Sequence, residues 1–299
     1  METVLQVLLN GLVLGSVYAL IALGYTMVYG VLKLINFAHG DVLMLGAFAG
    51  FYIGSSVADS VPMPLLVTLV LSMVICAAIG VTIERLAYKP VRSAPSLTAL
   101  ITAMGVSLFL EYTTALVLGP TPRGFPSEKL LPTSTVLAIP GFPNISNRQL
   151  VVMGTALALM GLLYYIVVHT KMGKAMRAVS FDKDAARLMG INVDQVISFT
   201  FALGSALAAA GGILFALTYG RVDPYMGIYP GLKAFIAAVL GGIGSIPGAM
   251  LGGLLMGFTE STASYFVSTY RDAVLFSVLV IILLVRPAGI LGRGMVEKV

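Results

Sequence analysis

Long apolar runs set the terms for what this chain can fold into. A spanning helix needs about 20 mostly apolar residues. Eight stretches meet or approach that length: 5–30, 42–58, 62–83, 97–118, 149–169, 196–219, 232–266 and 272–285. The second and last are short for a full crossing. Hydrocarbon offers the backbone no hydrogen-bond partner, so such runs fold as helices. Only 10% of the 299 residues are charged and 58% are hydrophobic, where a soluble domain carries about 25% charged residues. The expected fold class is all-α. It is a polytopic transmembrane helical bundle, one domain over residues 1–299, with about 8–9 membrane passages including broken or re-entrant Gly-rich helices.

Positive charge in the short loops sets the orientation. Arg85, Lys89 and Arg92 follow the third stretch, and Lys171, Lys174, Arg177, Lys183 and Arg187 follow the fifth. Both loops are expected to be cytoplasmic, the second over 170–195, with the N-terminus outside and the first span serving as its own targeting signal. The segment 119–148 then lies outside as an ordered loop, rich in proline (Pro120, Pro122, Pro126, Pro132, Pro140, Pro143). Arg286, Arg293 and Lys298 argue for a cytoplasmic C-terminus, which eight crossings would not give. The stretch 232–266 resolves the parity: one helix of that length would measure about 52 Å, and Gly241, Gly242, Gly244 and Pro247 interrupt it. Two legs are expected, making nine passages. Broken helices persist in a membrane only where protein buries them or a cavity adjoins them. These four residues are therefore candidates for a translocation path or gate.

Gly46, Gly50 and Gly54, and again Gly244, Gly248 and Gly252, recur at a spacing that lets helix backbones approach closely. Asn36, His39 and Asp41 lie between two spans. They fit a cytoplasmic turn in which Asn36 or Asp41 caps the next helix, or a segment folding partway into the membrane whose polar groups help gate a path. Glu111, a lone carboxylate in the fourth stretch, is expected to reach the outer interface. The net charge of +5 suits loops facing anionic headgroups. Without a basic stripe and interleaved aromatics it does not suit nucleic acid. The lone Cys76 permits no internal disulfide.

The segment KAMRAVSFDKDAARLMGIN, 174–192, interrupts this apolar chain with charge. Asp182 or Asp184 can cap a helix that Ala185, Ala186, Leu188 and Met189 favour and that Gly190 ends. Such a helix is far below the about 12–15 residues an isolated helix needs, so it must dock through Leu188 and Met189. No nucleophile elbow, His-Glu-x-x-His element, metal-ligand cluster or P-loop lysine motif occurs. If ATP drives this protein, another subunit hydrolyses it.

Residues 184–190, Asp-Ala-Ala-Arg-Leu-Met-Gly, resemble the Glu-Ala-Ala-x-x-x-Gly element of ABC importer permeases, with Asp184 where Glu is usual. The resemblance extends to permeases of the LivH type for branched-chain amino acids. It is carried by NGLVLGSVYALIALGYTMVYGVLKLINFAHGDVLMLGAF (10–48), IERLAYKPVRS (83–93), MGKAMRAVSFDKDAARLMGINVDQVISFTFALGSALAAAGGIL (172–214), GLKAFIAAVLGGIGSIPGAMLGGLL (231–255) and PAGILGR (287–293). It implies a permease subunit of a bacterial inner-membrane importer for leucine, isoleucine and valine, related permeases carrying urea or short amides. It further implies a second permease (a copy or a paralogue), two ATPase subunits that use ATP and Mg, and a periplasmic amino-acid-binding protein. Asp184, Ala185, Ala186, Arg187, Leu188, Met189 and Gly190 would form the coupling helix, and this chain would bind neither cofactor nor metal. The rival from another class, a channel or secondary transporter driven by an ion gradient, would normally need intramembrane carboxylates, for which Glu111 is the clear candidate.

Overall fold

The computed structural model describes residues 2–137 and 144–292. Pro140, Pro143, Arg293 and Lys298 therefore lie outside the described residues. The apolar runs are helices: α1 (Glu2–Leu32), α2 (His39–Val57) and α3 (Pro64–Ile83), the last continuing through a π turn (Glu84–Tyr88) into the single turn α4 (Lys89–Val91). Next come α5 (Ser96–Leu118), strand β1 (Arg123–Gly124), the short α6 (Ser127–Leu130), and strands β2 (Thr135–Leu137) and β3 (Ile145–Ser146). The second half holds α7 (Asn147–His169), α8 (Lys171–Phe181), α9 (Lys183–Leu188), α10 (Val193–Tyr219), β4 (Arg221–Val222), α11 (Ile228–Gly241), α12 (Ile246–Phe266) and α13 (Arg271–Val285).

Among the described residues, 7 helices are long and apolar enough to cross a membrane. The stretch 232–266 is divided as expected. Helix α11 has 14 residues, about 21 Å, which is short of the about 30 Å hydrocarbon core. Gly242 and Gly244 lie between it and α12 with φ of 106° and 93°. That left-handed backbone suits glycine and ends the helix. Ser245 then caps α12 by accepting from the Gly248 N–H, with Pro247 in the first turn.

The core is built on α1 and α10, which pack on each other and on most other helices. Their inner faces carry small residues. Gly253 and Gly257 of α12 seat against the backbone of Ala19 and Gly15 in α1, running antiparallel to it. Gly46 of α2 meets Ala209 of α10. The spaced glycines thus serve close helix contact. At the periphery, α5 and α13 keep long apolar side chains such as Leu116 and Leu284 exposed, as lipid-facing helices do. The segment 119–137 adds something the proline content did not suggest. Its β1 pairs antiparallel with β4, and β2 pairs with β3, tying this loop to the end of α10. A capping box between Ser146 and Gln149 starts α7.

Candidate transport site and docking helix

The charged segment folds as two helices at the end of the bundle that carries Leu32. Thr170 caps α8. Asp182 caps α9, its carboxylate accepting from the N–H groups of Asp184 and Ala185 at 2.9 and 3.0 Å. Of the two candidate caps, then, Asp182 is used. Asp184 instead meets the Arg187 guanidinium at 3.1 Å. Gly190, with φ of 79°, closes the turn, and the Ile191 N–H donates to the Ala186 carbonyl at 3.0 Å.

Ala186 is buried, whereas Leu188 and Met189 are 89% and 81% exposed. The anchored side of α9 faces this chain and the apolar tip faces away from it. Lys183 Nζ donates to the Leu32 carbonyl at 3.4 Å, joining α9 to the end of α1. Burial, and then the charges of Arg92, Arg187 and Lys33, hold the Lys183 ammonium below its usual range. A brace lies beneath. Arg92 binds Glu84 at 2.5 Å and Asp194 at 2.6 Å, and the Ser198 hydroxyl donates to Glu84 at 2.7 Å. This fixes the π turn against the start of α10.

The polar residues 36–41 do not form a solvated turn. Ala38, not Asn36 or Asp41, is the N-cap residue of α2, and no side chain caps it. After Leu32 the chain folds back into the bundle, leaving Asn36, His39 and Asp41 only 4%, 1% and 4% exposed. The Tyr88 hydroxyl donates to Asn36 Oδ1 at 2.7 Å, and the Ser107 hydroxyl donates to Asp41 Oδ2 at 2.5 Å. His39 Nε2 lies 3.3 Å from the carbonyl of Ile21, eleven residues or about 16 Å before the end of α1. Helix α2 therefore begins well inside the bundle. Of the two arrangements open to the sequence, the segment adopts the one that folds partway in.

Glu111, expected near the outer interface, is buried against the protein's own helices, and its Oε1 has no hydrogen-bond partner among the described residues. Nor is it the lone intramembrane carboxylate. Asp41 and Glu260 are buried as well. Glu260, which sequence reading passed over, accepts from Lys233 Nζ at 2.6 Å and from the Tyr18 hydroxyl at 2.8 Å. Asp272 lies 3.1 Å from the same ammonium. The signal was present as a Lys and a Glu in one apolar run, spaced so that a hairpin at Gly242–Ser245 brings them together.

The break between α11 and α12 is packed by backbone. The N–H groups of Ile290 and Leu291 donate to the carbonyls of Leu240 and Gly241, each at 2.9 Å. A side chain on Gly241 would fall on the Gly248 carbonyl, and one on Gly242 would fall on Gly292. The carbonyls freed where α11 ends thus find partners within the protein, as a buried interruption requires. The structure groups Asn36, His39 and Asp41 near the start of α11, while Gly241, Gly242, Gly244 and Pro247 sit at its far end. Among the described residues no group of three or more His, Cys, Asp or Glu side chains could hold a metal ion.

Interrupted helices around buried carboxylates are the build of a membrane transporter. A family model described as branched-chain amino acid transport system / permease component matches residues 7–284. The chain is 46% identical to the high-affinity branched-chain amino acid transport system permease protein LivH of Escherichia coli K12, over 99% of this chain and 97% of that one. It is 44% identical to the corresponding protein BraD of Pseudomonas aeruginosa, over 99% and 98%. A probable LivH of Methanocaldococcus jannaschii is 26% identical over 96% and 92%. The chain belongs to this family of transport permease components.

Proposed function

We propose that this chain is the membrane-spanning permease subunit of an ABC importer for leucine, isoleucine and valine. Separate ATPase subunits that consume ATP and Mg drive it, and a binding protein outside the membrane loads it. A second permease, identical or related, completes the membrane unit. The chain lies in a bacterial inner membrane with its N-terminus outside and its C-terminus in the cytoplasm, the Lys183 end of the bundle facing the ATPases.

The observation that carries this reading is α9: a capped, anchored helix whose two largest apolar side chains, Leu188 and Met189, project free of the protein. Exposed at a basic loop, such a pair supplies the anchor of a helix-in-groove contact. Asp184, Ala185, Ala186, Arg187 and Gly190 shape the rest of that contact. Because α9 is tied to Leu32 and to α10, and α8 packs on α1 and α10, movement of the ATPases reaches the two core helices directly. In this mechanism α1 and α10 rock the bundle between outward-open and inward-open states. Asn36 and His39 gate one level of the path. Gly241, Gly242, Gly244 and Pro247 line or gate it at another.

Affinity purification from native membranes, with and without L188D/M189D, tests the docking. A P-loop ATPase should accompany the unaltered chain in stoichiometric amount and be absent from the double variant, whose membrane insertion is unchanged. Normal co-purification with the variant would sink the coupling role of α9.

A further inference from the structure

A cavity of about 350 Å³ lies between α1, α2, α5 and α11, beside the residues just assigned to the gate. It falls within the roughly 300–1,000 Å³ of small-molecule sites. Its chemistry is divided. One wall is apolar, with Phe37, Leu108 and Phe235 among its residues. The other carries Asp41, Tyr25 and the backbone of Gly40, Gly227 and Gly231.

Three features of the polar wall belong together. First, Asp41 is 4% exposed and accepts a hydrogen bond from the Ser107 hydroxyl, yet among the described residues no cationic side chain pairs with it. Glu111 lies close enough to add its own negative charge. A buried carboxylate without a counter-charge costs free energy, and a cation entering the cavity would recover it. Second, two helices start here. Gly40 in the first turn of α2 touches Gly227, the N-cap residue of α11, so closely that a Cβ on Gly227 would fall on the Gly40 carbonyl. Residues of both first turns line the cavity, which sets the positive ends of both dipoles at it, while the N–H groups of His39, Asp41 and Ile228 donate to the carbonyls of Asn36, Ala38 and Tyr225. Third, the Tyr25 hydroxyl stands on the same wall beside Gly231, where it can donate a hydrogen bond. Carboxylate, paired helix N-termini and apolar wall match the ammonium, carboxylate and side chain of one ligand class.

We propose that this cavity binds an aliphatic α-amino acid during transport. Asp41 holds the ammonium, the Tyr25 hydroxyl holds the carboxylate with the dipoles of α2 and α11 favouring its charge, and the apolar wall receives the side chain. The assignment rests on the importer reading above. The rim residues Leu108 and Leu232 are exposed, and a second permease seated there would close the site. The chain thus reads the zwitterion itself and does not rely wholly on what delivers it.

The test uses the assembled transporter in lipid nanodiscs and proteoliposomes. Wild type should bind tritiated leucine without the binding protein. Unlabelled leucine should displace it, and neither 4-methylpentanoate, which lacks the ammonium, nor 3-methylbutylamine, which lacks the carboxylate, should compete. D41N should keep its ATPase partners and lose at least about tenfold in leucine uptake, as loss of one partner of a buried charge pair does. D41E should recover part of that loss. Competition by 4-methylpentanoate equal to that by leucine, or D41N uptake at the wild-type rate, would overturn the site while leaving the importer reading intact. A wild-type complex that carries no leucine would overturn both.

Discussion

Asp41 and Glu260 are buried to the same degree, 4% and 3% exposed, yet they sit in opposite surroundings. Glu260 is enclosed by partners: Lys233 at 2.6 Å, Tyr18 at 2.8 Å and Arg271 at 3.6 Å, with Asp272 sharing the lysine. Four helices, α1, α11, α12 and α13, contribute to that cluster, and the negative and positive charges answer each other within it. Asp41 has a neutral donor in Ser107, no cationic partner among the described residues, and a cavity in front of it. Burial alone therefore does not mark a functional carboxylate in a membrane protein. What marks it is whether the protein completes its shell. The Glu260 cluster reads as a clamp holding the hairpin of α11 and α12 against α1. Asp41 reads as a site whose last partner comes from outside.

The largest effect expected from this contrast is at Lys233. K233M leaves Glu260 buried without its ammonium and should destabilise the protein by about 3–5 kcal/mol. Thermal unfolding of the detergent-solubilised protein, followed by size-exclusion chromatography, measures it. The double variant K233M/E260M removes both charges and should recover most of the loss. A K233M protein as stable as wild type would mean that the cluster is no clamp. Y18F is the milder probe. It deletes a hydroxyl that donates to a charged acceptor and should cost about 1.5–3 kcal/mol in the same assay. An unchanged transition would place the strength of the clamp in the ion pair alone.

Much of this architecture was legible in the sequence, because hydrocarbon leaves a chain few choices. Apolar runs gave the helices. A run too long for one crossing, with Gly241, Gly242, Gly244 and Pro247 inside it, gave the break. Asp182 and Gly190 framed α9 through local capping chemistry. Asp41 was legible only in part, since an acidic residue beside a helix start looks like a cap at the interface. Its depth depends on residues 33–38 folding back so that His39 reaches Ile21, and no local pattern encodes that return. The pairing of Lys233 with Glu260 likewise depends on the hairpin, and the reach of Tyr18 depends on how α12 crosses α1. Non-local contacts of this kind decide which polar residues are satisfied and which remain open.

The smallest stability effect is expected where the functional effect is large. D41N removes a buried carboxylate that has no cationic partner among the described residues, and it weakens the hydrogen bond from Ser107. The gain from neutralising the charge and the loss in that bond oppose each other. Thermal unfolding should shift by no more than about 1 kcal/mol in either direction. The structure around Asp41 is held by other means, chiefly the close backbone contact of Gly40 with Gly227 and the hydrogen bond from Tyr88 to Asn36, and neither involves the carboxylate. If D41N proved as destabilising as K233M, Asp41 would have an internal partner that supports the fold, and the contrast between clamp and open site would fail. Near-neutral stability with lost uptake would separate the two kinds of buried carboxylate. One is spent on holding helices together, and the other is kept uncompensated for a ligand.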